Sequence, residues 1–404
     1  MDMILKNKNK DILTFSINKI KQNIKNKDVD LYTMELNINE IKNKELIPYG
    51  MIETNDSLKN WLLQRKIPKN RAYVDEILES ISEQDNPFKY IEVSYGLSLN
   101  DSYWVCPKHE RNSVNWENIN LYHNGFNEII AKIAFTGDPS NVNGIVTSPE
   151  FTTAGMLKKC WHREADGNIY LYKGSSMRYS NGGQEAYLEA YASQIAKKLE
   201  LPHVDYDVIS FKNQNVSRCK LFTDENIGYL PISALVNNIT HRDELSIYKK
   251  QLEIGEIYGT ANFEDMMVFD ALIHNTDRHL NNFGMLIDNN TNKILGAAPL
   301  FDHGNSLFFR ANDEDYENLK DFKRDNTNYW GITYNQQAKL YLKERHIPML
   351  EKLDGFKFKR FSSDIVDDKK IDALESYIKN RAKEFIKHIK KQMINEKKLP
   401  GRKI

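Results

Sequence analysis

Apolar positions recur at helical spacing in three long segments of the chain. The first stripe stands at i, i+3, i+4 and i+7 and ends before a Gly-Asp-Pro turn; its members are Phe126, Ile129, Ile130 and Ile133. A second stripe covers residues 184–199, and a third runs from Ile371 to Met393. Stripes of this kind predict amphipathic helices. Shorter helical patterns around Leu58 and Ile77 predict that the lysine- and asparagine-rich residues 1–86 are partly helical.

Other segments follow a two-residue alternation or carry many β-branched and aromatic side chains. Residues 90–106 predict a strand pair with a turn at Asn100-Asp101, and further strands are expected over 146–174 and 205–222. Two strands separated by Asn289-Asn290-Thr291-Asn292 predict a hairpin over 283–301.

The order of these elements indicates the architecture. We expect an α+β, two-lobed protein-kinase-like fold with an extra N-terminal region. Its parts are an accessory region (1–86), a β-rich nucleotide-binding lobe with one central helix (87–225) and a mainly helical catalytic lobe (226–404).

Composition narrows the class of protein. Among 404 residues, 40% are hydrophobic and 28% are charged, which is typical of a folded globular chain. The 56 basic residues equal the 56 acidic ones, so net charge gives no reason to expect a polyanionic partner. The three cysteines form no C-x-x-C pair, which argues against zinc knuckles and disulfide frameworks. Without an apolar leader or a bilayer-length run, we expect a cytoplasmic protein and no membrane partner.

The strongest chemical signal lies between residues 270 and 302. Asp277 is followed five residues later by Asn282, and a predicted hairpin then leads to Asp302 in an Asp-His-Gly sequence. Phosphoryl transfer from ATP needs a carboxylate near the acceptor hydroxyl and oxygen ligands for Mg²⁺ near the phosphates. This spacing therefore predicts a catalytic base, Asp277, and two metal ligands, Asn282 and Asp302.

A kinase also needs a cation for the ATP phosphates. Lys173 ends an alternating strand, and the helix that follows carries Glu185 and Glu189. A Lys–Glu ion pair would hold the amine over the phosphates. Glu189 is the preferred partner because it lies beside the apolar face of its helix, and Glu185 is the alternative.

The loop that would cover the nucleotide has no glycine-rich motif. Residues 148–155 offer small and hydroxyl-bearing side chains ahead of Lys158, and backbone amides there could cradle phosphate. The candidate contacts are Thr152, Thr153, Ala154, Gly155 and Lys158. A plain surface turn is the alternative interpretation.

These residues resemble the HipA family of serine/threonine kinases, whose catalytic segment is similar to that of the phosphatidylinositol 3- and 4-kinases. The resemblance covers roughly residues 145–310. It rests on the following pieces: Thr152-Thr153-Ala154-Gly155 with Lys158, Lys173, 189–193, 275–279 with Asn282, and 299–302.

The resemblance implies roles for several residues. Asp277 would be the base, Asn282 and Asp302 the Mg²⁺ ligands, Lys173 the phosphate-binding lysine, and the backbone of Lys220, Leu221 and Phe222 the adenine-binding hinge. It also implies a protein substrate, autophosphorylation at Thr152 or else Thr153, and a separate antitoxin-like partner. Residues 1–85 carry no such resemblance, so toxin behaviour is not implied.

Two other functions remain open from the sequence. The same loop would serve a lipid or small-molecule kinase. A catalytically silent binding module is the third interpretation. In that case nucleic acid or an acidic protein would contact a set of basic residues near the C-terminus, although we do not expect the chain alone to bind nucleic acid. That set comprises Lys387, Lys390, Lys391, Lys397, Lys398, Arg402 and Lys403.

Overall fold

The computed structural model describes residues 1–22, 31–81, 88–142, 144–176, 182–236, 244–363 and 365–397. They divide into two units. Unit 1 comprises Met1–Tyr172, Thr223–Leu230 and Leu286–Leu295, and unit 2 comprises Lys173–Phe222, Pro231–Met285 and Gly296–Ile404. The expected boundary at 86/87 and the basic residues Lys398, Arg402 and Lys403 lie outside the described residues.

Unit 1 begins with an antiparallel sheet. Its strands are β1 (Asp2–Asn7), β2 (Lys10–Gln22), β3 (Leu31–Ile41) and β4 (Tyr103–Pro107), in the order β3-β2-β1-β4. The central strand β1 pairs with β2 through Met3–Phe15 and Leu5–Leu13 and with β4 on its other edge.

Short helices pack beside this sheet. They are α1 (Asn55–Arg65), α2 (Val74–Glu79), α3 (Lys89–Ser94), α4 (Trp116–Ile119) and α5 (Glu128–Thr136). Asn127 caps α5 through its side-chain oxygen, which accepts hydrogen bonds from two backbone N–H groups, and Gly137 ends the helix with a φ of 74°. The core of unit 1 includes Met3, Phe15, Leu58, Ile77, Tyr90, Ile130 and Phe151.

Unit 1 also holds strands β5 (Lys159–Arg163) and β6 (Ile169–Lys173), although the last residue of β6 opens unit 2. A three-stranded sheet in the order β11-β10-β9 lies mostly in this unit. Its strands are β9 (Ile227–Pro231), β10 (Gly284–Asp288) and β11 (Lys293–Ala297).

Unit 2 is mainly helical. The helices are α6 (Glu185–Lys198), α7 (Glu244–Tyr258), α8 (Thr260–Ile273), α9 (Tyr334–Tyr341), α10 (His346–Glu351) and α11 (Asp368–Lys397), beside a hairpin of β7 (Tyr206–Phe211) and β8 (Gln214–Lys220). One hydrophobic core joins α6, α8 and α11 through residues such as Leu188, Ile195, Phe269, Leu272, Leu374 and Ile378. Helix α8 is buried from Met266 to its end, which fixes the loop that follows it.

Most of the element predictions are confirmed. The three long stripes correspond to α5, α6 and α11, although Phe126 precedes α5 and Ile129 of α5 is exposed. The asparagine-rich turn joins β10 to β11, whereas the strands expected over 146–174 form only from Lys159 onward. The predicted strand pair over 90–106 is wrong in its first half, where α3 forms. Tyr90, Ile91 and Ser94 are all buried, and their spacing of i, i+1 and i+4 fits one helix face but not an alternating strand.

The strands β1 to β3 were not predicted, because lysine and asparagine obscure their apolar positions. Among the described residues, no helix combines the length and apolar character that crossing a membrane requires.

Candidate active site

The amine of Lys173 lies between two carboxylates. Its Nζ donates to Glu189 Oε1 at 2.9 Å and to Asp302 Oδ1. Burial alone would lower the pKa of Lys173, but Asp302 and Glu189 together raise that pKa above its ordinary value. The lysine is therefore a fixed cation at neutral pH.

Of the two candidate glutamates, Glu189 rather than Glu185 contacts Lys173. Glu189 is 1% exposed. Its Oε1 accepts a hydrogen bond from Lys173, and its Oε2 accepts one from the Ser217 hydroxyl at 2.6 Å. Glu185 instead accepts from the backbone N–H of Ser176 at 3.2 Å. Ser217 is a contact that sequence analysis missed, since strand β8 carries no motif around it.

Asp302 has a left-handed backbone, with a φ of 58°. Its backbone N–H donates to the buried hydroxyl of Tyr206 at 3.1 Å. A non-glycine residue in this region is uncommon, and such conformations cluster at functional sites. The tyrosine therefore helps to hold Asp302 in the conformation that presents its carboxylate to Lys173.

The loop after α8 contains Asp277 and Asn282. The side-chain nitrogen of Asn282 donates to the backbone carbonyl of Asp277 at 2.8 Å, which closes the loop. Asp277 Oδ2 accepts from Asn305 Nδ2 at 2.9 Å. Burial raises the pKa of Asp277, and the negative charge of Asp302 raises it further, although His279 acts in the opposite direction. Asp277 and Asp302 are thus close enough for their charges to interact.

A buried network lies beneath this loop. Arg278, which is 2% exposed, forms a two-pronged ion pair with Asp270 of α8, with both N–O distances at 2.9 Å. The same guanidinium donates to the carbonyls of Asn282 and Phe301 at 2.8 and 3.0 Å and to His303 Nδ1 at 3.1 Å. Arg278 therefore joins the segments that carry Asn282 and Asp302.

Neither Arg278 nor Asp270 has a role assigned from the sequence alone. Of the two histidines that flank the loop, His274 is buried and His279 is partly exposed. His274 is buried and donates from Nε2 to the Asp325 carbonyl at 2.8 Å, and burial lowers its pKa to about 4.

The expected hinge also lies in unit 2. Lys220 ends β8, and Leu221 and Phe222 follow it without regular structure. The ring of Phe222 lies 5.6 Å from that of Phe301, the residue before Asp302.

The expected nucleotide loop belongs to unit 1. The hydroxyl of Thr152 is buried and donates to the Leu97 carbonyl at 2.8 Å, and that of Thr153 donates to the Pro149 carbonyl at 2.7 Å. Lys158 is partly buried, with its amine 5.6 Å from the centre of the Phe135 ring.

Comparisons with known proteins show what this chain is similar to. Residues 146–343 match the family model described as HipA-like kinase. The serine/threonine-protein kinase CtkA of Helicobacter pylori is 31% identical over 150 residues, which cover 34% of this chain and 44% of CtkA. The chain thus matches less than half the length of this relative.

Two solved structures are also similar. The H. pylori proinflammatory kinase CtkA aligns with a TM-score of 0.45 and 19% identity, covering 59% of this chain and 95% of CtkA. HipA of Shewanella oneidensis MR-1, solved with HipB and operator DNA, aligns with a TM-score of 0.50 and 11% identity over 96% of this chain and 98% of HipA. The likeness to HipA confirms the expected α+β, kinase-like fold.

Proposed function

Because residues 146–343 match the family model described as HipA-like kinase, we propose that this chain uses ATP and Mg²⁺ to phosphorylate serine or threonine hydroxyls of proteins. The contact of Lys173 with both Glu189 and Asp302 carries the proposal. A kinase needs this combination of a fixed amine, its orienting carboxylate and a metal-binding carboxylate. The similarity to a serine/threonine-protein kinase favours protein over lipid acceptors.

Lys173 would hold the α and β phosphates of ATP. Ser217 donates a hydrogen bond to the carboxylate of Glu189 that contacts Lys173, so the amine has one fixed partner. Its Asp302 contact faces the part of unit 2 that also holds Asp277 and Asn282. Asp302 would be a ligand of the metal ion, and Lys173, held by Glu189, would bind phosphate oxygens.

The residues present suit Mg²⁺. Asn282 uses its amide nitrogen for the Asp277 carbonyl, which leaves its oxygen for a metal, and Asp302 supplies a carboxylate. Mg²⁺ prefers such oxygen ligands and keeps several waters, so two protein ligands plus phosphate oxygens suffice. Within the described residues, no group of three or more His, Cys, Asp or Glu side chains is placed to hold a metal ion. When bound, Mg²⁺ would neutralise charge on the phosphates.

Asp277 would accept the proton of the attacking hydroxyl. Asn305 fixes the direction of its carboxylate, and its raised pKa makes it a better proton acceptor than an ordinary aspartate. The base and the acceptor hydroxyl need hydrogen-bond contact in the reactive complex, and most of the rate gain then comes from positioning.

Other parts of the site complete the proposal. The backbone of Lys220, Leu221 and Phe222 would bind adenine, and the loop of Thr152, Thr153, Ala154, Gly155 and Lys158 would cover the phosphates. For autophosphorylation, the Thr152 hydroxyl would first have to leave the Leu97 carbonyl. Phosphate there would add negative charge near ATP and oppose its binding. A separate antitoxin-like protein is the proposed partner, by analogy with the HipA–HipB assembly.

The acceptor can be found directly. Purified protein, ATP and Mg²⁺ are mixed with a protein extract and, separately, with extracted lipids. New phosphoserine or phosphothreonine sites, identified by mass spectrometry and absent with Asp277→Ala, support the proposal. Phosphate transfer to lipids without protein modification would overturn it in favour of a lipid kinase.

A further inference from the structure

A segment of the N-terminal region runs along the expected nucleotide loop. We call residues 67–72 the brace and residues 148–158 the phosphate loop. The backbone N–H of Ile67 donates to the Phe151 carbonyl, and that of Ala72 donates to the Met156 carbonyl, both at 2.8 Å. These two bonds pin the loop to the brace near Phe151 and again near Met156.

Arg71 of the brace adds two further bonds, one to Thr153 within the loop and one to Lys159, the first residue of β5. Its guanidinium donates to the Thr153 carbonyl at 3.0 Å and to the Lys159 carbonyl at 2.7 Å. Arg71 is 3% exposed, so these bonds form away from water. Because a charged donor makes stronger hydrogen bonds than a neutral one, Arg71 holds both sides of the loop's turn at a fixed separation.

The turn between those sides is narrow. Gly155 has a φ of 95°, a backbone conformation that favours glycine, and Lys159 Nζ lies beside the position that a Cβ atom would take. That amine in turn donates to the Ala154 carbonyl at 2.8 Å. Two cations therefore hold the backbone of the loop, because Lys159 binds the Ala154 carbonyl and Arg71 binds the Thr153 carbonyl.

A buried carboxylate accompanies Arg71. Glu150 accepts hydrogen bonds from the Ser148 hydroxyl and from the backbone N–H of Trp161, both at 2.7 Å. Burial lowers the pKa of Arg71 to about 10, partly offset by Glu150, so Arg71 stays charged at neutral pH. Burying a cation costs free energy unless the cation is paired and hydrogen-bonded. The loop supplies acceptors that reduce this cost for Arg71, and Arg71 in turn holds the loop, so the brace and the loop stabilise each other.

We infer that Arg71 is a positioning residue that holds the phosphate loop in the shape in which its backbone binds phosphate of ATP. This inference rests on the proposed function for its link to ATP. The physical contact between brace and loop does not depend on it.

Hydrogen exchange followed by mass spectrometry tests the contact without using activity. Arg71→Ala is compared with Arg65→Ala, a partly buried arginine of the same region whose partners are Gly96, Asp101 and Tyr103 rather than the loop. We expect amides of 149–161 to exchange at least about tenfold faster in Arg71→Ala than in Arg65→Ala, since the lost bonds are charge-assisted. Unchanged exchange in folded Arg71→Ala would overturn the inference. If Arg71→Ala does not fold, Arg71→Lys is measured instead, since it keeps the charge without the two-pronged geometry.

Kinetics test the link to ATP. We expect Arg71→Ala to raise KM for ATP about tenfold with a smaller change in kcat, Arg71→Lys to recover part of the loss, and Arg65→Ala to leave both near wild type. Faster exchange with unchanged KM would refute the nucleotide role of the loop. If the wild-type protein transfers no phosphate, the proposed function fails, whereas the exchange experiment still decides whether Arg71 holds the loop.

Discussion

The side-chain nitrogen of Asn305 donates a hydrogen bond to Asp277 Oδ2 at 2.9 Å. The backbone carbonyl of Asn305 also accepts from the hydroxyl and the backbone N–H of Thr276, at 3.0 and 3.1 Å. Three hydrogen bonds thus tie the segment after Asp302 to the loop that carries Asp277. The orientation of the proposed base depends on a residue 28 positions later in the chain.

Replacement of Asn305 should reduce turnover. A hydrogen bond to a charged group contributes about 1.5–3 kcal/mol, so Asn305→Ala should lower kcat roughly 10- to 100-fold and change KM for ATP little. Steady-state kinetics with a protein acceptor measure both. The matched control is Asn312→Ala, because Asn312 is exposed and bonds only within its own turn to Asp315 among the contacts described. Wild-type turnover in Asn305→Ala would show that Asp277 needs no such support.

The two glutamates of α6 should respond differently. Glu189→Gln removes the charge that pairs with Lys173 and should lower kcat/KM for ATP about tenfold, which corresponds to ~1.4 kcal/mol. Glu185→Gln should stay within about threefold, because Glu185 contacts the Ser176 backbone instead. Equal losses in both variants would contradict the assignment of Glu189 as the partner of Lys173.

The buried Asp270–Arg278 pair should dominate local stability. Arg278→Ala leaves Asp270 as an unpaired buried charge and should lower the free energy of unfolding by about 3–5 kcal/mol. Urea denaturation measures this, with the exposed Arg310→Ala as a control that should cost under ~1 kcal/mol.

The double variant Asp270→Leu, Arg278→Met separates stability from activity. It should recover much of the stability, since apolar residues can replace a buried ion pair. It should not recover activity, because the carbonyls of Asn282 and Phe301 still lack their donor. Full stability of Arg278→Ala alone would contradict the role of the network.

Acid should destabilise the protein through His274. Its pKa is about 4 when folded, below the ordinary value of 6.5, because it is buried. Between these values the unfolded chain binds the proton and the folded chain does not. The contribution of His274 is therefore complete above pH ~6.5 and is lost as pH falls toward 4, by at most ~1.4 kcal/mol per pH unit.

Urea denaturation at pH 7.5 and pH 5.0 can test this. His274→Asn retains an amide donor and suits the left-handed backbone at this position, where φ is 56°. The variant should lose less stability than wild type between the two pH values. An equal loss would mean that His274 does not titrate on unfolding.

The parts of the site that could be predicted from sequence are those encoded locally. Asp277 and Asn282 stand five residues apart in one loop, and Asp302 follows a hairpin whose turn residues are evident. Glu189 follows from its position on a helix face. In contrast, Asn305, Ser217 and Arg71 act through tertiary contacts with distant residues, and no spacing rule reports such contacts.

The same distinction applies to the fold. Long amphipathic stripes predicted α5, α6 and α11, since the period is repeated many times. Strands β1 to β3 escaped prediction because lysine, asparagine and other polar residues interrupt their apolar positions and because their buried positions do not alternate strictly. In β1, five consecutive residues are buried, so this strand has no polar face to reveal its period.

Transfer of labelled phosphate by Asp277→Asn tests the central claim most directly. The substitution keeps the size of the side chain but removes its ability to accept a proton. Labelled ATP, Mg²⁺ and a protein acceptor are supplied, and nucleotide binding is measured in parallel. We predict a loss of phosphoserine and phosphothreonine formation of at least about 100-fold, the scale of general-base catalysis, with nucleotide binding retained. Undiminished transfer by this variant would contradict the account.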